Sequence, residues 1–424
     1  MKRAADVRGS LTVRAAIILS CHTIGLAVIR ALGTKGVPIL AVHFNKTDMG
    51  QVSRYVNESF AAPHPERDEE RFLALLEDLA DRYPNSLLIP ADDPSLVVVS
   101  RNKARLSRRF TVGCTDWAVT EKFIDKKMTY ALAKELGIPI PKTVLPESEN
   151  DIVRHGESIG YPLIVKPCVS HSYYRAFRRK LVLAENCDQL VTAYRDAAEI
   201  GIEMMLQEYI PGDDGMGANY NSYFWEGEPL VEFTAAKVRL SPSRFGIPSV
   251  VVSKHVPEVI EPGRSILRAM GFSGYSCTEF KKDVRDGVYK LMEVNGRHNR
   301  SASLSLACGI NFPWLQYRHL LHGELPVIGS MLPGVYWIDE FKDAFAVMRC
   351  LKNREAKLAH CLQPYLRSNV FSVFDISDVK PFLKRCGDAL RTMFLPASAG
   401  HAYAIVGLDL IDTLHDCCMM FPYA

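Results

Sequence analysis

The feature that most constrains this chain is the segment Tyr275–Arg300, which reads YSCTEFKKDVRDGVYKLMEVNGRHNR. Two runs that suit β-strands flank Asp286-Gly287, and an Asp-Gly pair in this position favours a tight hairpin. Glu279 lies on the first run, and Glu293 and Asn295 lie on the second. Because strand side chains repeat with a period of two, Glu293 and Asn295 share one face. The segment therefore predicts two paired strands that carry carboxylate and amide oxygens.

These oxygens suit a magnesium site that serves a nucleotide. Mg²⁺ is a hard ion that binds few protein oxygens and takes its remaining ligands from phosphates and water. Arg297 follows two residues after Asn295 and offers a planar fork of donors for a phosphoryl or carboxylate group. A solvated strand face is the alternative for acidic residues beside an Asp-Gly turn, so this segment has to be weighed with the rest of the chain.

The composition indicates a globular protein of two or three domains, because 424 residues with 48% hydrophobic side chains supply a core for each. Fifty-one basic residues against 48 acidic ones give a net charge of +3, which argues against nucleic acid or an anionic membrane as partner. No signal peptide and no run long enough to span a bilayer is predicted. The 11 scattered cysteines indicate reduced thiols in a cytoplasm, and Cys417-Cys418 favours packing over redox sensing.

The N-terminal third predicts a βαβ opening of the doubly wound type. Only Gly25 of a G-x-G-x-x-G set is present in the first turn and no Walker A sequence occurs, so neither a nicotinamide nor a flavin cofactor is predicted. The predicted elements are a strand at 14–20, a turn at 21–25, a helix at 26–33, a strand at 37–44, a helix at 69–83 and a strand at 86–90.

A domain boundary is expected near Trp117, followed by helical sequence up to Gly137 and a proline-bounded extended segment. The next elements predict a small α+β lid over about residues 160–240. These elements are a strand at 161–167, a helix at 188–200, a strand at 206–211 and a hairpin at 219–240 that folds at Glu226-Gly227.

Two lysines point to a phosphate group. Lys166 interrupts an apolar strand, where a buried charge costs several kcal/mol unless an anion such as a triphosphate pairs with it. Lys126 opens a helix, where the positive end of the helix dipole also favours phosphate. The alternatives are an edge-strand lysine that reaches water and a solvated helix face. The strand end at Gln207–Ile210 offers backbone groups for an adenine edge, and Asp214 lies where a carboxylate suits ribose hydroxyls.

The order of these residues resembles the ATP-grasp superfamily of carboxylate-amine ligases. The resemblance covers Ala15–Glu324, and the strings DKKMTYALAKELGIPIPKT, YPLIVKP, QEYIPGDD and FKKDVRDGVYKLMEVNGRHNR look most like its D-aspartate ligase and amino-acid ligase branch. It implies a fold of α/β and α+β type with three parts. These are a Rossmann-like preceding domain at 1–117, a two-lobed ATP-grasp domain at 118–330 and a mostly helical C-terminal extension at 331–424.

The resemblance also implies an activity, the ATP-dependent joining of small-molecule carboxylate and amine substrates through an acyl phosphate, with release of ADP and phosphate. Its implied roles are phosphate binding by Lys126 and Lys166, nucleotide-base binding by Gln207, Glu208 and Ile210, ribose binding by Asp214, binding of one or two Mg²⁺ ions by Glu279, Glu293 and Asn295, and catalysis by Arg297 and Lys237. Two alternatives stay open, a nucleotide-binding regulatory protein without ligase turnover and an enzyme that phosphorylates without ligation. The oligomeric state, including a homo-oligomer, is also open.

The chain departs from the family pattern between Cys168 and Lys180, where CVSHSYYRAFRRK contains no glycine although the family carries a glycine-rich phosphate lid. The side chains of Arg175, Arg178, Arg179 and Lys180 would clamp phosphate or an acidic substrate, and a solvated hairpin tip is the alternative. Gly296 replaces a usual proline and loosens the strand end before Arg297. Polar residues just beyond Arg297 are candidates for substrate contact, namely His298, Ser301 and Ser303.

Overall fold

The N-terminal part is a five-stranded parallel sheet with the strand order β3-β2-β1-β4-β5. A computed structural model describes residues 14–325, 330–354 and 357–394, so Cys417-Cys418 lies outside the described residues. Helices cover the sheet, and its apolar central strands are therefore fully buried. The elements are β1 Ala16–Leu19, α1 Thr23–Gly33, β2 Ile39–His43, β3 Val56–Ala61, α2 Glu69–Arg82, β4 Leu87–Pro90, α3 Asp93–Arg101, α4 Lys103–Leu106 and β5 Thr111–Val112.

The first turn of this sheet is shorter than predicted. We expected a turn over residues 21–25, but α1 begins at Thr23 because His22 caps it through a hydrogen bond from the Ile24 N–H to the His22 Nδ1. Gly25 permits a close approach, since a Cβ at this position would lie 2.0 Å from the Ser20 carbonyl oxygen. The start of α1 is thereby packed against the carboxyl end of β1.

The second part is a small sheet with the strand order β6-β9-β7-β8, which we call the small lobe (Thr143–Glu208). Two helices lead into it, because Asp125 ends α5 in an extended conformation and caps α6 by accepting a hydrogen bond from the Lys127 N–H. Lys126 is therefore the first residue of α6. The elements are α5 Trp117–Ile124, α6 Lys126–Glu135, β6 Thr143–Val144, α7 Glu149–Ile159, β7 Leu163–Pro167, α8 Ser170–Phe177, β8 Val182–Ala184, α9 Cys187–Ala198 and β9 Met204–Glu208.

The glycine-free segment contains α8 and connects the antiparallel pair β7 and β8, with Arg175, Arg178 and Arg179 exposed to solvent. Tyr173 and Phe177 are spaced four residues apart, and their tilted rings are in contact with centroids 4.7 Å apart. Tyr173 is fully buried in the core of the small lobe, which anchors one face of the helix. Arg178 ends α8 in the left-handed conformation with φ of 56°.

The third part is a seven-stranded sheet with the order β14-β13-β10-β11-β12-β15-β16, which we call the large sheet. The hairpin predicted at 219–240 exists as β10 and β11, but its assignment to the lid is wrong because both strands belong to the large sheet. The elements are β10 Gly217–Trp225, β11 Glu228–Ser241, β12 Ile247–Ser253, α10 Ile260–Met270, β13 Gly274–Lys282, β14 Tyr289–Asn295, α11 Ala302–Ala307, α12 Phe312–His322, β15 Tyr336–Ile338, α13 Glu340–Lys352, α14 Leu358–Leu362, β16 Asn369–Phe371 and α15 Lys380–Phe394.

The segment after residue 331 connects the large sheet with the N-terminal sheet. It is not only helical, since β15 pairs with β12 and β16 pairs with β15. Buried Asp378 accepts hydrogen bonds from Arg30 Nε at 3.0 Å, Ser53 Oγ at 2.7 Å and the Arg54 N–H at 2.8 Å. This segment therefore ties the end of the described chain to the N-terminal sheet. None of the described helices is both long and apolar enough to cross a bilayer.

Candidate active site

The predicted hairpin is present, and its register places the two glutamates side by side. Glu279 on β13 lies directly opposite Glu293 on β14, and Cys277 lies opposite Asn295. The turn is longer than the predicted tight one, because the Asp283 N–H still donates to the Val288 carbonyl oxygen at 2.9 Å. Directly opposite residues share a face of a sheet, so both carboxylates and the amide project from the same side.

Each carboxylate is paired with a lysine that arrives from another part of the chain. Glu293 Oε1 lies 2.7 Å from Lys126 Nζ, and Glu279 Oε2 accepts a hydrogen bond from Lys237 Nζ at 2.5 Å. Asn295 Nδ2 donates to the other oxygen of Glu279 at 3.3 Å. Burial alone would raise the pKa of Glu293, but Lys126 reverses this and holds it at about 2. Each glutamate is therefore paired with a lysine, and each of these lysines could instead bind a polyphosphate oxygen.

Lys166 is a buried cation for which the structure supplies no carboxylate. Its side chain is 8% exposed, and its Nζ donates to the Tyr130 hydroxyl at 2.7 Å. Tyr130 in turn donates to the Met292 carbonyl oxygen at 2.6 Å, next to Glu293. No ion pair of Lys166 within 4.0 Å occurs among the described residues. Burial, with repulsion from Lys126, lowers the pKa of Lys166 to about 7, so an anion bound here would be strongly stabilised.

Arg297 is held by the N-terminal sheet. Its Nε and Nη2 atoms donate to the two carboxylate oxygens of Asp93 at 2.7 and 2.9 Å. Asp93 opens α3, directly after the carboxyl end of β4. Although burial opposes it, this two-pronged contact raises the pKa of Arg297 and lowers that of Asp93. The direction of the guanidinium is thus set by a residue 204 positions away in the sequence.

The residues predicted to bind the base and ribose lie at the junction of the small lobe and the large sheet. Gln207 is buried and donates to Thr143 Oγ1 at 2.8 Å, and the Glu208 N–H donates to the Lys142 carbonyl oxygen within the small sheet. Because the Glu208 N–H is already used within the sheet, a backbone contact from Glu208 to the base has to come from its carbonyl oxygen. The Ile210 carbonyl oxygen accepts a hydrogen bond from Lys281 Nζ at 2.8 Å.

Asp214 supports the turn between β11 and β12. Its two oxygens accept hydrogen bonds from the Leu240 N–H at 3.0 Å, the Arg244 N–H at 2.8 Å and Ser243 Oγ at 3.2 Å. These contacts give Asp214 a structural role that the sequence did not suggest. The ribose contact stays a prediction, since a carboxylate has lone pairs for further donors.

The start of α8 lies against the lysine cluster. Ser170 Oγ accepts a hydrogen bond from Lys126 Nζ at 2.9 Å, and the helix cap at Val169 forms no side-chain hydrogen bond. At the other end of the segment, Lys180 is solvent-accessible but surrounded by protein, and partial desolvation lowers its pKa against the opposing pull of Glu293 and Glu279. Of the predicted clamp residues, Arg175 instead lies 3.9 Å from Glu66 of the N-terminal part.

Sequence reasoning missed Asp93 and Tyr130. Asp93 follows an apolar strand in a doubly wound sheet, and the carboxyl ends of such strands are where ligands bind, so the sequence held a usable signal. Tyr130 lies four residues after Lys126 on α6, which places both side chains on one face of the helix. Its contact with Lys166 depends on the packing of α6 against β7 and had no local signal.

The oxygen donors fit a magnesium ion. No group of three or more His, Cys, Asp or Glu side chains is placed to hold a metal ion anywhere in the described part of the chain. Two carboxylates and one amide oxygen are nevertheless a sufficient protein contribution for Mg²⁺, which completes its shell with phosphate oxygens and water. Lys126 and Lys237, which pair with the two glutamates, are close enough to bind the phosphates. Glu279, Glu293 and Asn295 are therefore the residues that would hold the ion.

Lys126 on α6 and Lys166 in the small lobe lie beside Glu293 on the large sheet. The chain is similar to ligases of the ATP-grasp superfamily and to solved structures with that fold. No family model matches the chain.

The particular relatives are ligases. A D-aspartate ligase of Enterococcus faecium is 27% identical over 252 residues, which are 55% of this chain and 58% of that protein. A D-alanine–D-alanine ligase B of Pseudomonas putida is 24% identical over 303 residues, 69% of this chain and 84% of that protein. The chain thus spans less than two thirds of the first relative and most of the second.

Solved structures share the fold at low sequence identity. A biotin carboxylase of Campylobacter jejuni superposes with a TM-score of 0.62 at 14% identity, over 76% of this chain and 74% of that chain. An L-amino acid ligase of Bacillus licheniformis gives a TM-score of 0.58 at 17% identity, over 73% and 74%. These likenesses establish the fold.

Proposed function

We propose that the protein is an ATP-dependent carboxylate-amine ligase that joins small amino-acid-like substrates. The observation that carries the proposal is the buried, unpaired cation Lys166 beside the Lys126–Glu293 ion pair. A polyphosphate is the ligand that would neutralise this pair of lysines and free the glutamates for a metal ion. The ligase relatives and the predicted order of site residues support the same class.

The chemistry follows from the weakness of a carboxylate as an electrophile. Its oxygen becomes a leaving group when it attacks the γ-phosphorus of ATP, which forms an acyl phosphate and releases ADP. An amine then attacks the acyl carbon and phosphate departs. Bound Mg²⁺ would offset phosphate charge. Lys126, Lys166 and Lys237 would orient the phosphates, and Arg297, held by Asp93, would contact the transferring phosphoryl group and the acyl oxygen.

Several finer assignments belong to this proposal. Gln207, the Glu208 carbonyl and Ile210 would contact adenine, and Asp214 the ribose. The N-terminal sheet would serve as a Rossmann-like preceding domain with a boundary near residue 117, and the segment after residue 331 as an extension that braces it. The number of magnesium ions, the cytoplasmic location and the oligomeric state stay predictions.

A screen for ADP release tests the proposed function. The purified chain is mixed with Mg-ATP and pairs drawn from D-aspartate, D-alanine and the other D- and L-amino acids, and the products are identified by mass. We expect ADP formation that depends on both members of a pair, together with a product whose mass equals their sum minus water. ADP formed with a carboxylate alone, with a phosphorylated product that accumulates, would instead identify a kinase.

The glycine-free α8 favours a second candidate, a nucleotide-binding regulatory protein. A helix supplies fewer free backbone N–H groups to phosphates than a glycine-rich loop does. Tight binding of Mg-ATP by calorimetry, with no ADP formed against the whole amino-acid panel, would establish this candidate over the ligase.

The Asp93–Arg297 contact yields a prediction about turnover. We expect Asp93→Asn to lower kcat by about 10- to 100-fold, because a misaimed Arg297 costs transition-state contacts. The Mg-ATP dissociation constant, measured by calorimetry, should not change. Asp92→Asn is the matched control, since the Asp92 side chain accepts its hydrogen bonds from Ser95 within α3 and asparagine caps a helix equally well. Equal losses in both variants would assign Asp93 to stability alone.

A further inference from the structure

A row of uncharged polar side chains continues from the two glutamates into the interior of the large sheet. Asn219 on β10 lies directly opposite Glu279, and Asn221 lies opposite Cys277. Residues that are directly opposite or two apart on a strand share a face. These side chains therefore form a floor beside the proposed metal site, and each of Asn219, Asn221 and Cys277 is buried.

Hydrogen bonds along this floor fix the orientation of the Asn299 amide. Asn221 Nδ2 donates to the Phe233 carbonyl oxygen at 3.3 Å, so Asn221 Oδ1 is the accepting end of its amide. That oxygen accepts from the Tyr275 hydroxyl at 2.9 Å and from Asn299 Nδ2 at 2.8 Å. Asn299 Nδ2 also lies 3.2 Å from Cys277 Sγ. The nitrogen of Asn299 is thus committed, and its Oδ1 is a buried acceptor with no donor.

Unpaired polar atoms are concentrated around this floor. Asn219 Oδ1 also has no hydrogen-bond partner, and the side chains of Asn219 and Asn299 are 3% and 8% exposed. The buried ring of His298 lies beside the Gln316 side chain. A buried polar atom without a partner costs about 1–3 kcal/mol, and native proteins contain few of them. His298 stacks on Tyr275 with ring centroids 4.2 Å apart, which holds it in place. The cluster is therefore a built site with free acceptors.

Asn219, Asn221 and Asn299 carry no charge, and Glu279, directly opposite Asn219, is paired with Lys237. Burial lowers the pKa of His298 to about 4. Burial also raises the pKa of Tyr275. A carboxylate substrate requires donors or cations, whereas free amide oxygens suit a ligand that donates N–H groups.

We propose that Asn299, together with Asn219, binds the attacking amine of the ligase reaction in its uncharged form. This inference rests on the proposed function and names the group that the site holds. An amide oxygen accepts an N–H and favours the ammonium ion less than a carboxylate does, and only the uncharged amine has a lone pair for attack. The lone pair of the amine forms the new C–N bond, the C–O bond to phosphate breaks with its electron pair, and the departing phosphate takes the surplus proton.

Asn299→Ser tests the role of the free oxygen. Serine retains a hydroxyl donor for Asn221 but removes the amide acceptor. With D-alanine as the amine probe and a carboxylate found in the ADP-release screen, we expect kcat/KM for the amine to fall by at least about 10-fold. The KM for the carboxylate and the Mg-ATP dissociation constant should stay at wild-type values, which also shows that the variant is folded. Asn219→Ser should give the same selective loss and replaces it if Asn299→Ser does not fold.

Asn299→Asp tests the requirement for a neutral acceptor. A carboxylate keeps an oxygen at this place but stabilises the ammonium ion, so we expect the rising limb of the pH–rate profile to move up by about one pH unit or more. Asn57→Asp is the matched control, because the exposed Asn57 Oδ1 accepts from the Ile39 N–H far from the site and aspartate can do the same.

The outcomes separate the inference from the proposed function. If the wild type turns over and the Asn299 and Asn219 variants keep a normal kcat/KM for the amine, or lose carboxylate affinity instead, the amine assignment is wrong and the ligase assignment stands. If the wild type releases no ADP with any pair of amino acids, the ligase assignment falls, and the amine site falls with it.

Discussion

Glu293→Gln should lower Mg²⁺-dependent ADP release by about 10²- to 10³-fold or more, because an amide replaces a carboxylate that is expected to hold the metal ion. Glu293 also balances Lys126 in the structure, at 2.7 Å, so the change leaves a second lysine in the pocket without its partner. Glu279→Gln is expected to have a loss of the same order, since Glu279 lies directly opposite and pairs with Lys237. The measurement is initial ADP release across a magnesium titration.

A carboxylate on the other face of the same sheet supplies the control. Glu232 on β11 pairs with Arg264 and with Tyr220, and it lies opposite Ser222 rather than in the row of Asn219 and Asn221. Glu232→Gln should reduce stability but leave the magnesium dependence of turnover unchanged. Normal turnover in both Glu279→Gln and Glu293→Gln would refute the metal assignment.

Lys166→Met is expected to increase the stability of the unliganded protein and to weaken its binding of Mg-ATP. Removal of a buried cation that has no anionic partner should raise the free energy of unfolding of the unliganded protein by about 1–4 kcal/mol. The same change should weaken Mg-ATP binding by at least about 30-fold, or about 2 kcal/mol, because one phosphate contact is lost. Chemical denaturation and calorimetry measure the two effects. Lys134→Met, at an exposed position on α6, also removes one positive charge and should change neither the free energy of unfolding nor the affinity for Mg-ATP.

The effect of Lys166 on stability depends on pH in a defined direction. Its pKa is about 7 in the folded protein against an ordinary value of 10.5. The folded state therefore resists the charged form, and the cost is complete below pH 7, shrinks as the pH rises and vanishes above pH 10.5. The stability gain of Lys166→Met should follow the same curve. Wild-type protein should also take up a proton when it binds Mg-ATP above pH 7, and a gain that is independent of pH would contradict the assignment.

Local sequence patterns predicted the strands of the site because strand pairing obeys simple rules. The period of two and the Asp-Gly turn sufficed to place Glu279, Glu293 and Asn295 on one face, and the interrupted apolar run sufficed to place Lys166 on a buried strand. They did not predict α8, since without a glycine the segment allows either a hairpin tip or a helix, and the burial of Tyr173 decides for the helix.

Local sequence patterns also did not predict where the lid ends. A hairpin such as β10–β11 has the same sequence signature in either sheet, and only its pairing with β13 shows that it belongs to the large one. The contact between Asp93 and Arg297 likewise joins α3 to a residue just after β14, so no periodicity or motif brings them together.

The sequence by itself determined which side chains share a strand face and which charges require a partner, because these properties depend on near neighbours in the chain. Only the tertiary structure decided which distant groups meet, namely Lys126 with Glu293, Arg297 with Asp93 and Asn299 with Asn221. The tertiary structure also decided how far the pKa of Lys166 is lowered. The pKa of a group depends on the desolvation and charges that the whole fold places around it, and a sequence does not specify these until it has folded.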